Sequence, residues 1–428
     1  MGKAPKAALM SSPQTIVRQM EALLPPATVR LLHAAGALAS VAGVPLLLVG
    51  GSVRDLLLDR PVLDLDLAVE GDAPQLAVAL AEELGGTVTA RSQFGTAKVK
   101  TPDLTLDLAS VRRETYARPG ALPTVVPGGL EDDLARRDFT INAMAVDLAP
   151  GAFGALRDPF DGQGDLERRT VRVLHGGSFA DDATRILRAT RYEARLGFRM
   201  DPDTEAMARR DAHYLEDIGG DRLRRELERT FQEPQPEAAM TRSRDLGVLA
   251  AIHPALDWPE SHSQALARWR ASGERVQPLL FAALLASPLS PEEAGASAKR
   301  LNAPLRWGRV IRDAAELRGQ LPALEAPGLR PSQVVALLRG LEPTAIEAWA
   351  ALAQKATMRQ RLLDYVRRLR YVKSTLSGHD LLALGVPNGP AVGRLLAELL
   401  DARLDGLVRN RAEEEEFVRE AQDVSDAG

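Results

Sequence analysis

The sequence lacks cysteine and long apolar runs, and it has few aromatic residues. No cysteine occurs among its 428 residues, which excludes disulfides, thiolate catalysis and cysteine-ligated zinc or iron–sulfur centres. No apolar run approaches the roughly 20 residues that a membrane-spanning helix requires. The first residues, MGKAPKAALMSS, carry no long apolar segment after their lysines and do not resemble a secretory signal. We therefore expect a cytoplasmic protein without a membrane partner.

Charge and composition leave several functional classes open. Hydrophobic residues make up 45% and charged residues 26% of the chain, which is typical of a globular protein of about two to four domains. The net charge of −4 does not by itself suggest a nucleic-acid partner. Only seven of the 54 basic residues are lysines, and arginine offers a rigid fork for phosphates and base edges. Codon bias explains such an excess equally well, so the positions of the arginines decide the matter.

Two hydrophobic patterns divide the chain. The first 150 residues predict a mixed α/β region, with a helix at 73–84 and strands at 44–50, 62–69, 95–101 and 104–109. From about residue 165 onward, apolar residues recur at three- and four-residue spacing, which predicts helices almost throughout. Turn-rich segments near 150–165, 232–237 and 374–378 indicate boundaries. The pattern predicts an α+β chain of four parts, with the bounds 1–150, 151–235, 236–375 and 376–428.

A glycine turn follows the first predicted strand. The strand runs into Gly50 and Gly51, and Ser52 is a residue type that favours a helix N-cap. Glycine lets a backbone approach a ligand closely, and the first N–H groups of a helix are unpaired, so this turn suits phosphate binding. A simple tight turn between strand and helix is the alternative.

A pair of carboxylates lies a dozen residues downstream. Asp64 and Asp66 are two apart in an alternating strand, so their side chains point to one face while the leucines between them point to the other. Two carboxylates about 6–7 Å apart at their Cα atoms repel each other unless cations lie between them. Magnesium suits this arrangement because it bridges carboxylates to substrate phosphates. Asp107, in the middle of a predicted strand, can join the pair. For an isolated pair, an exposed sheet face is the alternative.

Two further motifs combine arginine with polar side chains. Arg137 adjoins Asp138 and Asn142, which offer charge for a triphosphate and hydrogen bonds for a ribose, with surface salt bridging as the alternative. Asp182 and Arg185 are three apart, which predicts one face of a helix. An Asp accepts from the exocyclic amine of cytosine or adenine, and an Arg donates to ring acceptors. An intrahelical salt bridge is the alternative for that pair.

Four motifs, in this order, resemble the class II tRNA nucleotidyltransferases, which are the CCA-adding enzymes and their bacterial poly(A) polymerase relatives. The motifs are GGSVRD…DLDLAV, RRDFTINAMA, DPFDGQGDL and DDATRILRATRY. The resemblance is dense over 44–231 and looser beyond. It implies a small mixed-sheet, polymerase beta-like head followed by an all-helical neck for base selection and a helical body and tail for tRNA binding. It also implies nucleotidyl transfer from ATP, and for full CCA addition also from CTP, to the tRNA 3′ hydroxyl, with release of pyrophosphate.

The resemblance also implies roles for individual residues. Asp64, Asp66 and Asp107 would be catalytic, and the first two would hold Mg²⁺. Nucleotide binding would involve Gly50, Gly51, Ser52, Arg54, Arg137, Asp138 and Asn142. Asp182 and Arg185 would read the base, and Arg188 and Arg191 would hold phosphates. Asp181 stands where the family pattern E-D-x-x-R has Glu, which leaves the reading pair intact.

The segments outside these motifs leave several alternatives open. The long, Gly- and Pro-rich segment 112–130 disfavours a CC-only enzyme by resemblance, but full CCA addition and addition of A alone are not separated. The basic segment 355–373 predicts RNA backbone contacts, through Arg359, Arg367, Arg370 and Lys373 on one helix face. A poly(A) polymerase of the same fold and a non-catalytic tRNA-binding protein are the rival functions. The oligomeric state is not predicted.

Overall fold

The protein is described from a computed structural model that covers residues 12–62, 64–92, 95–102, 104–121 and 123–426. The N-terminal segment considered for a secretory signal lies almost wholly outside these residues, as do Leu63 of a predicted strand and Asp103 of the predicted hairpin turn. No helix within the described ranges has both the length and the hydropathy needed to cross a membrane.

The described strands are short, and most of them belong to one sheet. They are β1 Leu46–Val49, β2 Asp66–Val69, β3 Thr87–Ser92, β4 Thr96–Lys100, β5 Thr105–Ser110, β6 Arg112–Thr115, β7 Thr124–Pro127, β8 Ala145–Asp147, β9 Leu156–Arg157, β10 Thr170–Val171 and β11 Arg199–Met200.

Helices account for most of the rest of the described chain. They are α1 Pro13–Leu23, α2 Pro26–Val41, α3 Gly51–Leu57, α4 Ala73–Glu83, α5 Leu130–Ala135, α6 Gly162–Arg168, α7 Ser178–Asp181, α8 Thr184–Leu196, α9 Pro202–Asp211, α10 Gly220–Phe231, α11 Pro236–Asp245, α12 Val248–Ile252, α13 Glu260–Ala271, α14 Pro278–Ala286, α15 Pro291–Arg300, α16 Leu305–Glu325, α17 Pro331–Leu338, α18 Pro343–Leu352, α19 Ala356–Arg367, α20 Gly378–Ala383, α21 Pro390–Leu404 and α22 Arg411–Asp426. Short 3₁₀ turns cover Thr140–Asn142, Ala212–Asp217 and Leu369–Tyr371.

The main sheet has the strand order β3-β4-β5-β2-β1-β8-β9. β2 and β5 run parallel, and the other neighbours are antiparallel, so the sheet is mixed as the sequence predicts. The predicted hairpin is confirmed as β4–β5, and the predicted helix at 73–84 is confirmed as α4. Asp72 caps α4, because its carboxylate accepts the N–H of Gln75 at 2.9 Å.

Small residues allow helices to lie close to this sheet. A Cβ atom on Gly36 of α2 would lie 1.9 Å from the carbonyl oxygen of Leu148, so only glycine fits this contact. The inward residues Leu48, Leu67 and Leu108 are at most 1% exposed, and they form the apolar layer behind the polar face of the sheet.

The chain divides into two compact units. The first contains the described residues up to Gly219 together with Glu233–Ala251, and the second contains Gly220–Gln232 and the described residues from Ile252 onward. In the second unit, the Phe281 ring stacks against Phe231 and Trp258, with ring centroids 5.4 and 5.8 Å apart. These contacts give this helical unit a core of its own.

Candidate active site

Strand register brings the predicted carboxylates together. Asp66 pairs with Asp107 across the parallel strands β2 and β5, and Asp107 pairs with Lys98 across β5 and β4. Paired residues on adjacent strands point to the same face, so these three side chains lie in a row across the sheet. Lys98 Nζ lies 3.0 Å from Asp107 Oδ1.

Asp64 precedes β2 rather than lying within it. The alternation nevertheless holds, because Asp64 and Asp66 are exposed whereas Leu65 is buried. Ser52 is not the helix N-cap that the sequence predicts, because α3 begins at Gly51 with Gly50 as its cap. The Ser52 hydroxyl instead donates to the carbonyl oxygen of Asp64 at 2.8 Å, which fixes the segment leading into β2.

The electrostatics of Asp66 show a concentration of negative charge. Although Asp66 keeps access to solvent, partial desolvation by the surrounding protein raises the pKa of its carboxyl above the usual value, and the neighbouring carboxylates Asp107 and Asp64 raise it further. Arg137 and Lys98 oppose this increase without cancelling it. The three carboxylates therefore lie close enough to affect one another's ionisation, within reach of two cationic side chains.

Helix α5 brings cationic side chains over this face. Leu134 is fully buried in a cluster with Val49 and Ala68, and this packing holds the helix against the sheet. A cavity of about 380 Å³ lies between them, with Asp66, Asp107 and Asp133 among its lining residues. The cationic side chains that line it are Arg91, Lys98, Arg136 and Arg137. The cavity therefore combines carboxylates for cations with cations for phosphates.

The glycine turn lies directly beside Arg137. Gly50 has a φ of 75°, which favours glycine, and a Cβ atom there would lie 2.5 Å from Arg137 Nη1. Arg137 Nη2 donates to Asp133 Oδ2 at 3.1 Å, and its buried Nε has no hydrogen-bond partner among the described residues. Arg137 therefore has one buried donor without a partner among the described residues, and the residue as a whole lines the cavity.

Arg54 occupies a different environment from the one predicted for it. It is 3% exposed, and it donates two hydrogen bonds of 2.9 Å to the Asp55 carboxylate and one of 2.5 Å to Asn142 Oδ1. Its guanidinium also lies 5.1 Å from the centroid of the Tyr192 ring. This placement does not favour direct triphosphate contact by Arg54, because its guanidinium is buried and already bound to Asp55 and Asn142.

Asp138 continues this network. Its Oδ1 accepts from Asn142 Nδ2 at 2.8 Å, and its Oδ2 accepts from Arg188 Nε and Nη2 at 2.8 and 2.6 Å. Burial raises the pKa of Asp138, but Arg188 and the hydrogen bond from Asn142 outweigh burial and hold that pKa below its usual value. Arg191 lies on the same helix and donates to Glu233 Oε1 at 3.3 Å. The predicted phosphate contacts Arg188 and Arg191 are therefore engaged with protein carboxylates.

Asp182 and Arg185 do not share a helix face as predicted. Helix α8 begins at Thr184, and Asp182 is extended, with a φ of −150°. Its Oδ1 accepts from the backbone N and the hydroxyl of Thr184 at 3.0 and 2.6 Å, a local turn that Asp side chains favour. Arg185 is 5% exposed and donates to Ser178 Oγ at 2.7 Å and to the carbonyl of Arg136 at 2.7 Å.

The segment 112–130 reaches this predicted base-reading pair. Its ends form the antiparallel ribbon β6–β7 rather than an irregular loop. Burial and a hydrogen bond to Glu114 raise the pKa of the Tyr116 hydroxyl, Arg185 lowers this pKa and Asp182 raises it. Tyr116 therefore lies within electrostatic range of both residues of the pair.

Comparisons with known proteins bear on this geometry. A protein-family model described as the Poly A polymerase head domain matches residues 46–172. A second family model, described as a probable RNA and SrmB-binding site of polymerase A, matches residues 197–258. The A-adding tRNA nucleotidyltransferase of Halalkalibacterium halodurans is 33% identical, over 91% of this chain and 92% of that protein. The chain belongs to the tRNA nucleotidyltransferase family.

Other tRNA nucleotidyltransferases differ in length and specificity. The A-adding enzyme of Geobacter sulfurreducens is 36% identical over 93% of this chain, which spans about half (48%) of that enzyme's length. The CC-adding enzyme of Deinococcus radiodurans is also 36% identical, over 87% of this chain and 88% of that enzyme.

Solved structures of tRNA nucleotidyltransferases share the fold. An apo CCA-adding enzyme has a TM-score of 0.84 at 29% identity, covering 95% of this chain and 98% of that one. The Thermotoga maritima CCA-adding enzyme complexed with tRNA has a TM-score of 0.78 at 28% identity, with the same coverage. The polymerase beta-like head with a helical remainder, predicted from the sequence, is confirmed by these matches.

The four predicted RNA-binding residues lie in the second unit of the chain. Helix α19 ends at Arg367, so Arg370 and Lys373 lie beyond it and the prediction of one shared helix face is wrong. Arg359 Nε donates to the carbonyl of Ala350 at 3.2 Å, and Arg367 pairs with Glu274. Arg370 and Lys373 are exposed, and the Arg370 guanidinium lies 4.9 Å from the ring centroid of its neighbour Tyr371.

Sequence reasoning missed several residues that line the cavity. Lys98 alternates with buried residues on β4, a pattern that places its side chain on the polar face of the sheet. Arg136 adjoins the predicted Arg137, but nothing in its spacing indicates that it links Asp133 to Glu114. Arg91 lies on the edge strand β3, and no local pattern identifies it.

Proposed function

We propose that this chain transfers nucleotides from nucleoside triphosphates to the 3′ end of tRNA, releasing pyrophosphate, and that the terminal A is among those it adds. The observation that carries the proposal is the row formed by Asp66, Asp107 and Lys98, with Asp64 close by, in a cavity that four cationic side chains line. A cytoplasmic location is part of the proposal. So are the four predicted parts of the chain, the head, neck, body and tail.

The carboxylates fit Mg²⁺ as the cofactor. Among the described residues, no group of three His, Cys, Asp or Glu side chains is arranged to hold a metal alone. Magnesium typically uses one or two carboxylates, keeps waters and completes its shell with substrate phosphates. Asp64 and Asp66 would hold it, and the charge concentration at Asp66 favours a cation there. Bound Mg²⁺ would supply activation of the RNA 3′ hydroxyl and stabilisation of the departing pyrophosphate.

The residues of the chain then perform distinct tasks. Arg137, which lines the cavity and lies against Gly50, would contact the triphosphate. Asn142 would contact the ribose, held from both sides by Arg54 and Asp138. For the base, Asp182 and Arg185 remain the candidates, because both lie near the ribbon that the family resemblance links to A addition.

RNA binding is proposed for the second unit. Arg370 and Lys373 are exposed, and backbone contacts by such side chains recognise RNA by shape and charge rather than by sequence. Arg359 and Arg367 contribute less in this proposal, because Ala350 and Glu274 already engage them.

An extension assay tests the proposal. Purified protein receives tRNA that ends before the CCA and tRNA that ends at CC, with ATP or CTP singly and with both together. We expect ATP to extend the CC-ending tRNA by one nucleotide. Extension of the shorter tRNA through CCA would identify a full-CCA enzyme, and long A tracts would identify the rival poly(A) polymerase and contradict the proposal.

Matched variants test the site itself. Asp64→Ala and Asp66→Ala should each reduce extension by at least about 100-fold, because they remove ligands on which charge stabilisation in the transition state depends. Glu82→Ala, which removes an exposed carboxylate of α4, should leave extension unchanged. Full extension by Asp66→Ala would contradict the proposed mechanism and favour a non-catalytic tRNA-binding protein.

A further inference from the structure

We infer that Lys98 is a positioning residue for Asp107 that competes with the divalent cation for the carboxylate cluster and attracts the incoming triphosphate. The inference deepens the proposed function and rests on it for the identity of the nucleotide. It concerns a residue that the sequence motifs do not assign to the site.

The position of Lys98 follows from strand register. Lys98, Asp107 and Asp66 are consecutive partners across β4, β5 and β2, so the three side chains share one face. The Lys98 ammonium lies 3.0 Å from Asp107 Oδ1, and the two side chains are 46% and 44% exposed. The ammonium therefore contacts the carboxylate of Asp107 and also faces the cavity, where it can bind a phosphate instead.

The electrostatics agree with this geometry. The hydrogen bond to Asp107 and the charge of that carboxylate raise the pKa of Lys98 above its usual value, and Asp64 and Asp66 raise it further. Lys98 thus interacts with all three carboxylates and supplies part of the positive charge that the cluster favours before nucleotide binds. A divalent cation at the same carboxylates must share them with this ammonium, because like charges repel.

Lys98 has the opposite effect on a triphosphate: it repels a divalent cation but attracts the phosphates. Lys98 lines the cavity together with Arg91, Arg136 and Arg137, so its charge adds to a field that attracts phosphates. Removal of the Lys98 charge should therefore change the two affinities in opposite directions. The alternative is that the ion pair only stabilises the pairing of β4 with β5. In that case, removal of Lys98 would loosen the strands and weaken the binding of both the cation and the triphosphate.

The experiment measures the two affinities separately on the full chain. Mn²⁺ binding without nucleotide is followed by electron paramagnetic resonance of the free ion. ATP binding without divalent cations, in EDTA, is followed by calorimetry. For Lys98→Met we expect Mn²⁺ to bind about two- to fivefold more tightly and ATP to bind more weakly by a similar factor, the range for a half-exposed ion pair. Lys98→Arg should restore both affinities toward those of the unchanged chain.

Lys100→Met is the matched control. Lys100 is exposed on the same strand and the same face, but its partner in β5 is Thr105 rather than an acid. We expect Lys100→Met to leave both affinities unchanged. Weaker or unaltered Mn²⁺ binding by Lys98→Met would overturn the inference, and so would an equal effect of Lys100→Met. Neither measurement uses tRNA or turnover, so failure here is distinguishable from failure of the extension assay.

Discussion

Asp138 is the residue on which the buried polar network of the first unit depends. It accepts from Asn142 on one oxygen and from Arg188 on the other, and Asn142 in turn accepts from Arg54. Within this network, Asp138, Asn142 and Arg54 each have a charged or amide partner, which is the condition under which burial of charge is tolerated. The network joins α3, the turn at 140–142 and α8, so the side chain of Asn142 is held from both directions.

A double-mutant cycle tests this pairing. Asp138→Asn and Arg188→Gln should each destabilise the protein, because each leaves a desolvated polar group without its charged partner. We expect a coupling free energy of about 1–3 kcal/mol from chemical denaturation, reduced from a fully buried pair because Arg188 is 27% exposed. A coupling near zero would mean that the two side chains stabilise the fold independently.

The burial of His262 predicts that the stability of the second unit depends on pH. Burial lowers the pKa of His262, although its hydrogen bond to the carbonyl of Leu284 raises it in part. Because the folded-state pKa lies below the unfolded value of about 6.5, the unfolded chain binds more protons in this range. The contribution of His262 is therefore complete above about pH 6.5 and falls as the pH is lowered toward the folded-state pKa.

The free energy of unfolding should accordingly decrease below about pH 6.5, with a slope from this residue of at most about 1.4 kcal/mol per pH unit. Denaturant titrations at several pH values measure the slope. His262→Gln, which retains a donor for Leu284, should lose this part of it. His379→Gln is the control, because His379 is exposed in helix α20. An unchanged slope in His262→Gln would assign the pH dependence to other groups.

At the scale of elements, the carboxylate of Glu114 holds the ribbon β6–β7 in place through several hydrogen bonds. Glu114 is 6% exposed and accepts from Arg112 at 2.7 Å, from Arg136 at 3.3 Å and from the Tyr116 hydroxyl at 2.8 Å. Arg136 also pairs with Asp133, which ties the ribbon to α5 and to the cavity. Charge-assisted hydrogen bonds of this kind are stronger than neutral ones, so Glu114 should determine how firmly the ribbon is held.

Glu114→Gln should therefore increase amide hydrogen exchange in the strands β6 and β7. We expect local protection to fall by about tenfold or more, corresponding to removal of at least one charge-assisted hydrogen bond. Mass spectrometry of peptic fragments measures it. Glu131→Gln, an exposed carboxylate of α5, should leave exchange unchanged. Equal protection in both variants would show that backbone pairing alone holds the ribbon.

Some of these elements and contacts can be predicted from the sequence, and others cannot. Strands are predicted well where one face is apolar, as for Leu65 and Leu67 around Asp66, because burial enforces alternation. Local preferences mislead where tertiary contacts take over: Ser52 donates to Asp64 instead of capping α3, and Asp182 forms its own turn. Contacts between distant segments have no local signal. The bond from Arg54 to Asn142, 88 residues away, is of this kind.

For the molecule as a whole, chemistry and RNA binding are proposed in different compact units. The carboxylates and the cavity belong to the first unit, whereas Arg370 and Lys373 belong to the second. The net charge of −4 means that attraction to RNA depends on local clusters rather than on the whole chain. Removal of cationic side chains from the second unit should therefore weaken tRNA binding without altering the reaction.

Arg370→Gln and Lys373→Gln together should weaken tRNA binding and reduce the slope of log K against log salt by about 2, because each substitution leaves one phosphate without its cation. Filter binding at several salt concentrations measures this slope. At saturating tRNA the rate of A addition should match that of the unchanged protein, because the reacting groups are untouched. Lys299→Gln, an exposed lysine of the same unit outside the basic segment, should keep the original slope. An unchanged slope in the double variant would place RNA binding on other side chains.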